Sequence, residues 1–184
     1  MFVIRPAARA DISAITAIMR ASLLSIGRQA YNEQQIDSAL LYIGRPDEQL
    51  IDDGTYFVAL DGEGIVGCGG WSRRRKVYSG SASANGEQDL LDPATEPARI
   101  RAMFVRPEWA RRGIGRQILQ HAEEQAASEG FRSLRLVAMR SAGSIYEAAG
   151  YRKVADSPIA LEDGVVLECT LMEKSIDDSR PLLE

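Results

Sequence analysis

The run Arg111-Arg112-Gly113-Ile114-Gly115-Arg116 has the residue types of a polyphosphate site. It follows an apolar segment and opens an amphipathic one, so it stands where a helix begins. A helix N-terminus leaves about four backbone N–H groups without intrahelical partners and carries roughly half a positive charge, which suits an anion. Without a Cβ at Gly113 or Gly115, the backbone can approach a pyrophosphate and adopt torsions that other residues avoid. A basic loop that merely caps a helix has the same composition, and two glycines two apart do not separate the readings alone. The flanks favour the phosphate site. Between Ala98 and Arg116 six arginines stand against the single Glu108, in a chain of net charge −4. The positive charge is local, as a bound polyphosphate requires.

The neighbouring segments must position this turn. Arg99 to Val105 reads as a strand that Pro107 stops, because proline cannot continue a ladder. Ile114, Ile118, Leu119, Ala122 and Ala126 recur at helical spacing, with Gln120, Glu123 and Glu124 opposite. Earlier, Phe2-Val3-Ile4 forms a short strand, and Asp11 offers an N-cap before Ile12, Ile15, Ile18 and Met19. A second helix covers Glu33 to Tyr42. Thr55 to Leu60 and Ile65 to Trp71 are strands joined by a turn over 61–64. Residues 76–97 lack periodicity and form a loop longer than most connections. After the glycine helix come a strand over Leu134 to Ala138 and a helix from Ala142 to Ala149 ended by Gly150. Strands at Tyr151 to Val154 and Val165 to Met172 close the chain. This alternation predicts an α/β fold with a mixed sheet, the glycine turn lying at a strand's carboxyl end. One domain spans 1–174, and 175–184 form a polar tail.

The 184 residues, 45% of them hydrophobic, suffice for one domain with its own core. The negative net charge argues against nucleic-acid binding, and Arg73-Arg74-Arg75-Lys76 is too short to change that. That run suits an acidic acceptor or, more simply, a solvated strand end. Cys68 and Cys169 suit buried reduced thiols better than a disulfide framework, and no metal site is expected. The first residues are too soon interrupted for a signal peptide, and no apolar run approaches the roughly 20 residues of a membrane span. A cytoplasmic protein without membrane attachment is expected.

The order hairpin, strand, Arg-rich Gly-x-Gly turn, helix, strand, short Tyr-bearing helix, hairpin resembles the GNAT superfamily of acyl-CoA-dependent N-acetyltransferases over nearly the whole chain. The resemblance implies a mixed, mainly antiparallel twisted sheet flanked by helices. The family's signature has Arg or Gln, two residues, Gly, one residue, then Gly or Ala. Arg111-Arg112-Gly113-Ile114-Gly115 matches its glycines, while Ala110 stands where the first Arg or Gln usually is. A backbone cradle needs no particular side chain there. Ala142 to Tyr151, reading Ala-Gly-Ser-Ile-Tyr-Glu-Ala-Ala-Gly-Tyr, looks like the family's second signature. It aligns Tyr146 with a tyrosine that in many members lies near the thioester sulfur. A phenol of pKa near 10 stays protonated at neutral pH and can donate to the departing thiolate.

The resemblance further implies acetyl-CoA as cosubstrate. It would be held by Arg111, Arg112, Gly113, Ile114, Gly115 and Arg116 at its phosphates, with the backbone of Met103, Phe104 and Val105 against pantetheine and the Ser141 hydroxyl near the cofactor. The partner is a small-molecule or peptide amine, attacking in a ternary complex, and a homodimer is common among relatives. A lysine-like amine is neutral in only roughly one molecule in a few thousand at pH 7, so a base or desolvation is required. Glu96 and Glu108 flank the central strand without occupying the family's glutamate position, and the base is left unassigned. His121, the only histidine, lies well into the glycine helix and suits a packed or solvated position. A nucleotide P-loop would need Gly-Lys-Ser or Gly-Lys-Thr, and a Rossmann turn a third small residue where Ile118 stands. The alternative is a GNAT-like module that senses acyl-CoA without turning it over. The acceptor is not legible, although Tyr31, Trp71 and the 76–97 segment are expected to line its pocket.

Overall fold

In the computed structural model, which describes residues 2–62, 64–75 and 90–176, the chain is laid out in regular elements. These are β1 (Val3–Pro6), α1 (Ile12–Ser25), α2 (Glu33–Tyr42), α3 (Glu48–Asp52), β2 (Tyr56–Asp61), β3 (Gly64–Ser72), β4 (Ala98–Val105), α4 (Ile114–Ser128), β5 (Ser133–Met139), α5 (Gly143–Ala148), β6 (Arg152–Asp156), β7 (Ile159–Ala160), β8 (Val166–Leu167) and β9 (Cys169–Ser175). Seven strands make one sheet in the order β1-β2-β3-β4-β5-β9-β6, and β7 and β8 form a separate small ribbon. Every neighbour in the large sheet is antiparallel except β4 beside β5. The fold is therefore the mixed, mainly antiparallel, helix-flanked sheet that the resemblance implies.

The period-2 alternation of β2 divides the core between two layers. Tyr56 and Val58 pack with Ile15, Ile18 and Met19 of α1. Ala59 packs with Ile114 and Ile118 of α4, and Phe57 joins the cluster holding Leu119, Ala122 and Ala126. The helical stripe at 114, 118, 119, 122 and 126 is buried along its length, as its spacing requires. His121 packs edge-on against Phe57, ring centroids 4.6 Å apart, which makes it a packing residue. Gly70 lets β3 lie tight against β2: a Cβ there would meet the Thr55 carbonyl oxygen at 2.1 Å.

Several local expectations are revised. Asp11 does not cap α1 with its side chain; its carboxylate instead accepts the Ala8 N–H at 2.8 Å and pairs with Arg5 at 2.7 Å. The short helix α3 was not anticipated, since five residues carry no readable period; Asp47 caps it by accepting the Gln49 N–H at 3.2 Å. The expected closing strand over 165–172 divides at Glu168, whose carbonyl accepts the Tyr31 hydroxyl at 2.6 Å. Val166–Leu167 then pairs with β7, and β9 continues to Ser175. The Ile176 N–H still donates to the Arg132 carbonyl, so the folded part extends past 174; residues 177–184 of the expected tail lie outside the described residues, as do 76–89 of the expected loop. Within the basic run, Arg73 pairs with Glu129 at 2.6 Å, Arg74 with Asp53 at 2.8 Å and Arg75 with Glu96. This favours the solvated strand end over an acidic-acceptor site. Both cysteines are free and buried.

One helical stretch, Arg9–Gln29, is by length and composition apolar enough to cross a membrane, with a mean hydropathy of 1.3, against the expectation that no such run exists. Here it lies on the sheet with Ile15, Ile18, Met19 and Leu23 buried.

Candidate active site

The site begins where β4 and β5 part. They are registered only at Ala98 with Leu134 and Arg99 with Arg135, whereas β4 follows β3 to Val105 and β5 follows β9 throughout. The sheet thus splits along its parallel seam. Beyond Arg99 the edge of β4 that faces β5 has no strand partner among the described residues, and unpaired backbone groups can receive an extended ligand. A bulge accompanies the split. Arg101 pairs with Gly70 and Phe104 with Cys68, so three steps of β4 face two of β3, and Ala102 takes a left-handed φ of 53°. The Tyr56 hydroxyl donates to the Ala102 carbonyl at 2.9 Å, holding the bulge from beneath. Beside it, burial pushes the Cys68 thiol up to about 12, which leaves it unreactive at neutral pH.

Beyond β4 the chain turns through Pro107–Trp109 and enters α4. The Arg106 guanidinium donates to the Ile65 carbonyl at 2.8 Å, and Phe2 packs edge-on against Trp109. Gly113 is the N-cap of α4, with φ 83°, and among the described residues no side chain caps the helix. The first-turn N–H groups are therefore available to an anion. A Cβ on Gly115 would sit 3.1 Å from Ile145 and 3.5 Å from Val105, so this glycine faces the gap between α5 and β4. Arg111 also has a left-handed φ, 61°, and with Arg116 it reaches the cavity described next. Arg112 does not. Its guanidinium lies 4.5 Å over the Trp109 ring, where the aromatic face holds it.

A cavity of about 560 Å³ occupies the split and joins the α4 N-terminus to α1 and α5. Met103, Phe104, Val105, Gly113, Ile114, Gly115 and Ser141 all line it, as does Tyr146. Tyr146 is 8% exposed, its ring edge-on to Tyr151 at 5.9 Å, and burial raises its phenol well above the usual value. It stays protonated at neutral pH, and its hydroxyl has no hydrogen-bond partner among the described residues. Neither expected carboxylate reaches the cavity: Glu96 is engaged by Arg75, and Glu108 lies 3.7 Å from Arg106.

Two residues expected to line the pocket do other work. The Tyr31 hydroxyl donates to Glu168 and accepts the Arg140 N–H at 3.0 Å, tying the start of α2 to the ends of β5 and β8. Trp71 is fully buried in the core, edge-on to Phe131 at 5.7 Å. The wall comes instead from Met19, Leu23 and Ile26 of the first helical stretch, from Ile43 and from Ile159. Their spacing along α1 is also that of ordinary core residues, so the sequence held no signal separating wall from core. Arg101 is hidden from sequence reasoning for another reason: it lines the cavity while 5% exposed, paired with Asp47 at 3.1 Å, a contact made across 54 residues of sequence.

Compared with known proteins, residues 52–153 match the family model described as an acetyltransferase (GNAT) domain. No curated protein matches the sequence. Among solved structures the chain is similar to a GCN5-related N-acetyltransferase from Rhodopseudomonas palustris, with 21% identity, a TM-score of 0.73 and 95% of each chain covered. It is similar also to the PaiA N-acetyltransferase of Thermoplasma acidophilum in complex with coenzyme A, at 16% identity and TM-score 0.67, covering 96% of this chain and 99% of that one. A third is YncA, a putative acetyltransferase from Salmonella typhimurium with acetyl-CoA, at 18% identity and TM-score 0.62, covering 98% and 96%.

Proposed function

The chain belongs to the GNAT family of acetyltransferases, and we propose that it transfers an acetyl group from acetyl-CoA to a primary amine by direct attack in a ternary complex. The observation that carries this reading is the split between β4 and β5. It supplies one continuous cavity with an uncapped helix N-terminus at one end, an unpaired strand edge along its side and a buried neutral tyrosine in its wall. Acetyl-CoA has the matching sequence of groups: pyrophosphate, amide-bearing pantetheine, then thioester.

The first-turn N–H groups of α4 hold the pyrophosphate, with Arg111 and Arg116 adding exposed positive charge. The Met103–Val105 backbone pairs with the pantetheine amides and aligns the thioester. Ser141 lines the same space and offers a hydroxyl to the cosubstrate. The acceptor nitrogen, once neutral, attacks the carbonyl carbon; a C–N bond forms and the C–S bond breaks. Tyr146 gives its proton to the departing sulfur and regains one from the acetylated nitrogen through water. Because burial disfavours the phenolate, Tyr146 is a donor throughout the neutral range.

The test is release of free CoA thiol by purified protein given acetyl-CoA and a mixture of primary amines. Amine-dependent release with a matching N-acetylated product is expected. Binding of acetyl-CoA without any amine-dependent release would identify a sensing module and overturn the transferase reading.

A further inference from the structure

The acceptor end of the cavity is defined by its chemistry. On the α1 side its walls are Met19, Ser22, Leu23 and Ile26, joined by Ile43, Met139 and Ile159, so one uncharged hydroxyl stands in an otherwise apolar surface. Among the described residues, no aspartate, glutamate or histidine lines the cavity, and the charged side chains that do are all cationic: Arg101, Arg111 and Arg116. Arg101 has a partner in Asp47, but Asp47 lies behind it and does not line the space.

Resting on the transferase reading above, we infer that the acceptor is a primary amine on an apolar aliphatic or aryl body carrying no second positive charge. Burying an ammonium without a counter-ion is costly, so a second cation on the acceptor would enter this compartment uncompensated, whereas a hydrocarbon body gains by leaving water. The same surroundings disfavour the charged form of the reacting amine. An apolar monoamine therefore sheds its proton to solvent on entering, which supplies the neutral nucleophile without a carboxylate base in the wall. Polyamines, aminoglycosides and strongly basic peptides are poor acceptors on this account, since each keeps further ammonium groups.

Hexylamine and 1,6-diaminohexane differ only in the second ammonium and make the direct comparison. Binding of each to the protein–CoA complex is measured by calorimetry, alongside kcat/KM from CoA release, with acetyl-CoA binding measured separately. Hexylamine is expected to bind at least tenfold more tightly and to be acetylated with the same preference. In Ile26→Asp, which places a carboxylate in a half-buried part of the wall, the diamine is expected to recover most of that difference. Equal or tighter binding of the diamine to the unaltered protein overturns the inference, as does failure of both amines to bind. Failure of acetyl-CoA itself to bind refutes the proposed function instead, so the two failures are distinct.

Discussion

Tyr146→Phe removes one hydroxyl and nothing else, which makes it the sharpest probe of the proposed chemistry. The hydroxyl makes no hydrogen bond within the described fold, and the ring is held by packing, edge-on to Tyr151 at 5.9 Å. The substitution therefore deletes no intramolecular bond and opens no cavity, and stability is expected to change by less than about 0.5 kcal/mol. Acetyl-CoA affinity should hold as well, because the proposed pyrophosphate and pantetheine contacts, at the α4 N-terminus and the β4 edge, do not involve Tyr146. The loss falls on expulsion of the thiolate. A positioned general acid contributes about 10²- to 10⁴-fold, and at 1.36 kcal/mol per tenfold the barrier rises by roughly 3–5 kcal/mol. Single-turnover CoA release gives the chemical step, and calorimetry gives the acetyl-CoA dissociation constant. Burial holds the phenol above its usual value near 10, so the wild-type rate should show no falling limb from this group below about pH 10. An unchanged single-turnover rate in the Phe variant refutes the assignment and leaves Tyr146 as packing.

Arg111 and Arg112 are adjacent but differently placed, since only Arg111 reaches the cavity while Arg112 lies on Trp109. Arg111→Ala is expected to weaken acetyl-CoA binding roughly two- to fivefold at low ionic strength and less at high salt, where exposed charges are screened. Arg112→Ala should lack that salt dependence, and titrations at two salt concentrations check both. Asp53 accepts two hydrogen bonds from Arg74, at 2.8 and 2.9 Å, and one from Gln49, and the Arg74 bonds hold its carboxyl below the usual carboxylate range. With the folded-state value depressed, its stabilisation is full above the unfolded value near 3.9 and is lost as pH falls through the folded value. Asp53→Asn should therefore cost about 1–3 kcal/mol at pH 7 and converge with the wild type at low pH; a difference in melting temperature that persists undiminished into acid contradicts this.

Much of the fold was legible because its elements carry strong local signals. The 114–126 stripe specifies α4, α2 runs over the expected Glu33–Tyr42, and Pro107 ends β4. The glycine turn was legible for the same reason, since Gly113, Gly115 and the arginines are contiguous, and Arg111, Gly113, Gly115 and Arg116 all line the cavity. What was not legible depends on contacts distant in sequence. Whether Trp71 faces core or pocket is decided by Phe131, and Tyr31 is claimed by Glu168 and Arg140 from the far end of the sheet. The bulge at Ala102 is hidden most completely, because alanine has no preference for a left-handed torsion; the Tyr56 hydroxyl and the mismatch with β3 impose it. The cavity walls were hidden because a wall of Met, Leu and Ile is written in the same residues as a core.

Cosubstrate binding at the glycine turn tests the central claim most directly. Acetyl-CoA at a hundredfold excess over its dissociation constant should stabilise the native state by about 2.7 kcal/mol, which raises the melting temperature of a domain this size by roughly 5–10 °C. Gly115→Glu places a carboxylate in the gap between Ile145 and Val105, at a helix N-terminus that tolerates acidic residues. It should leave the free protein folded and abolish the shift. A folded Glu variant whose melting temperature still rises with acetyl-CoA as the wild type's does would contradict the account.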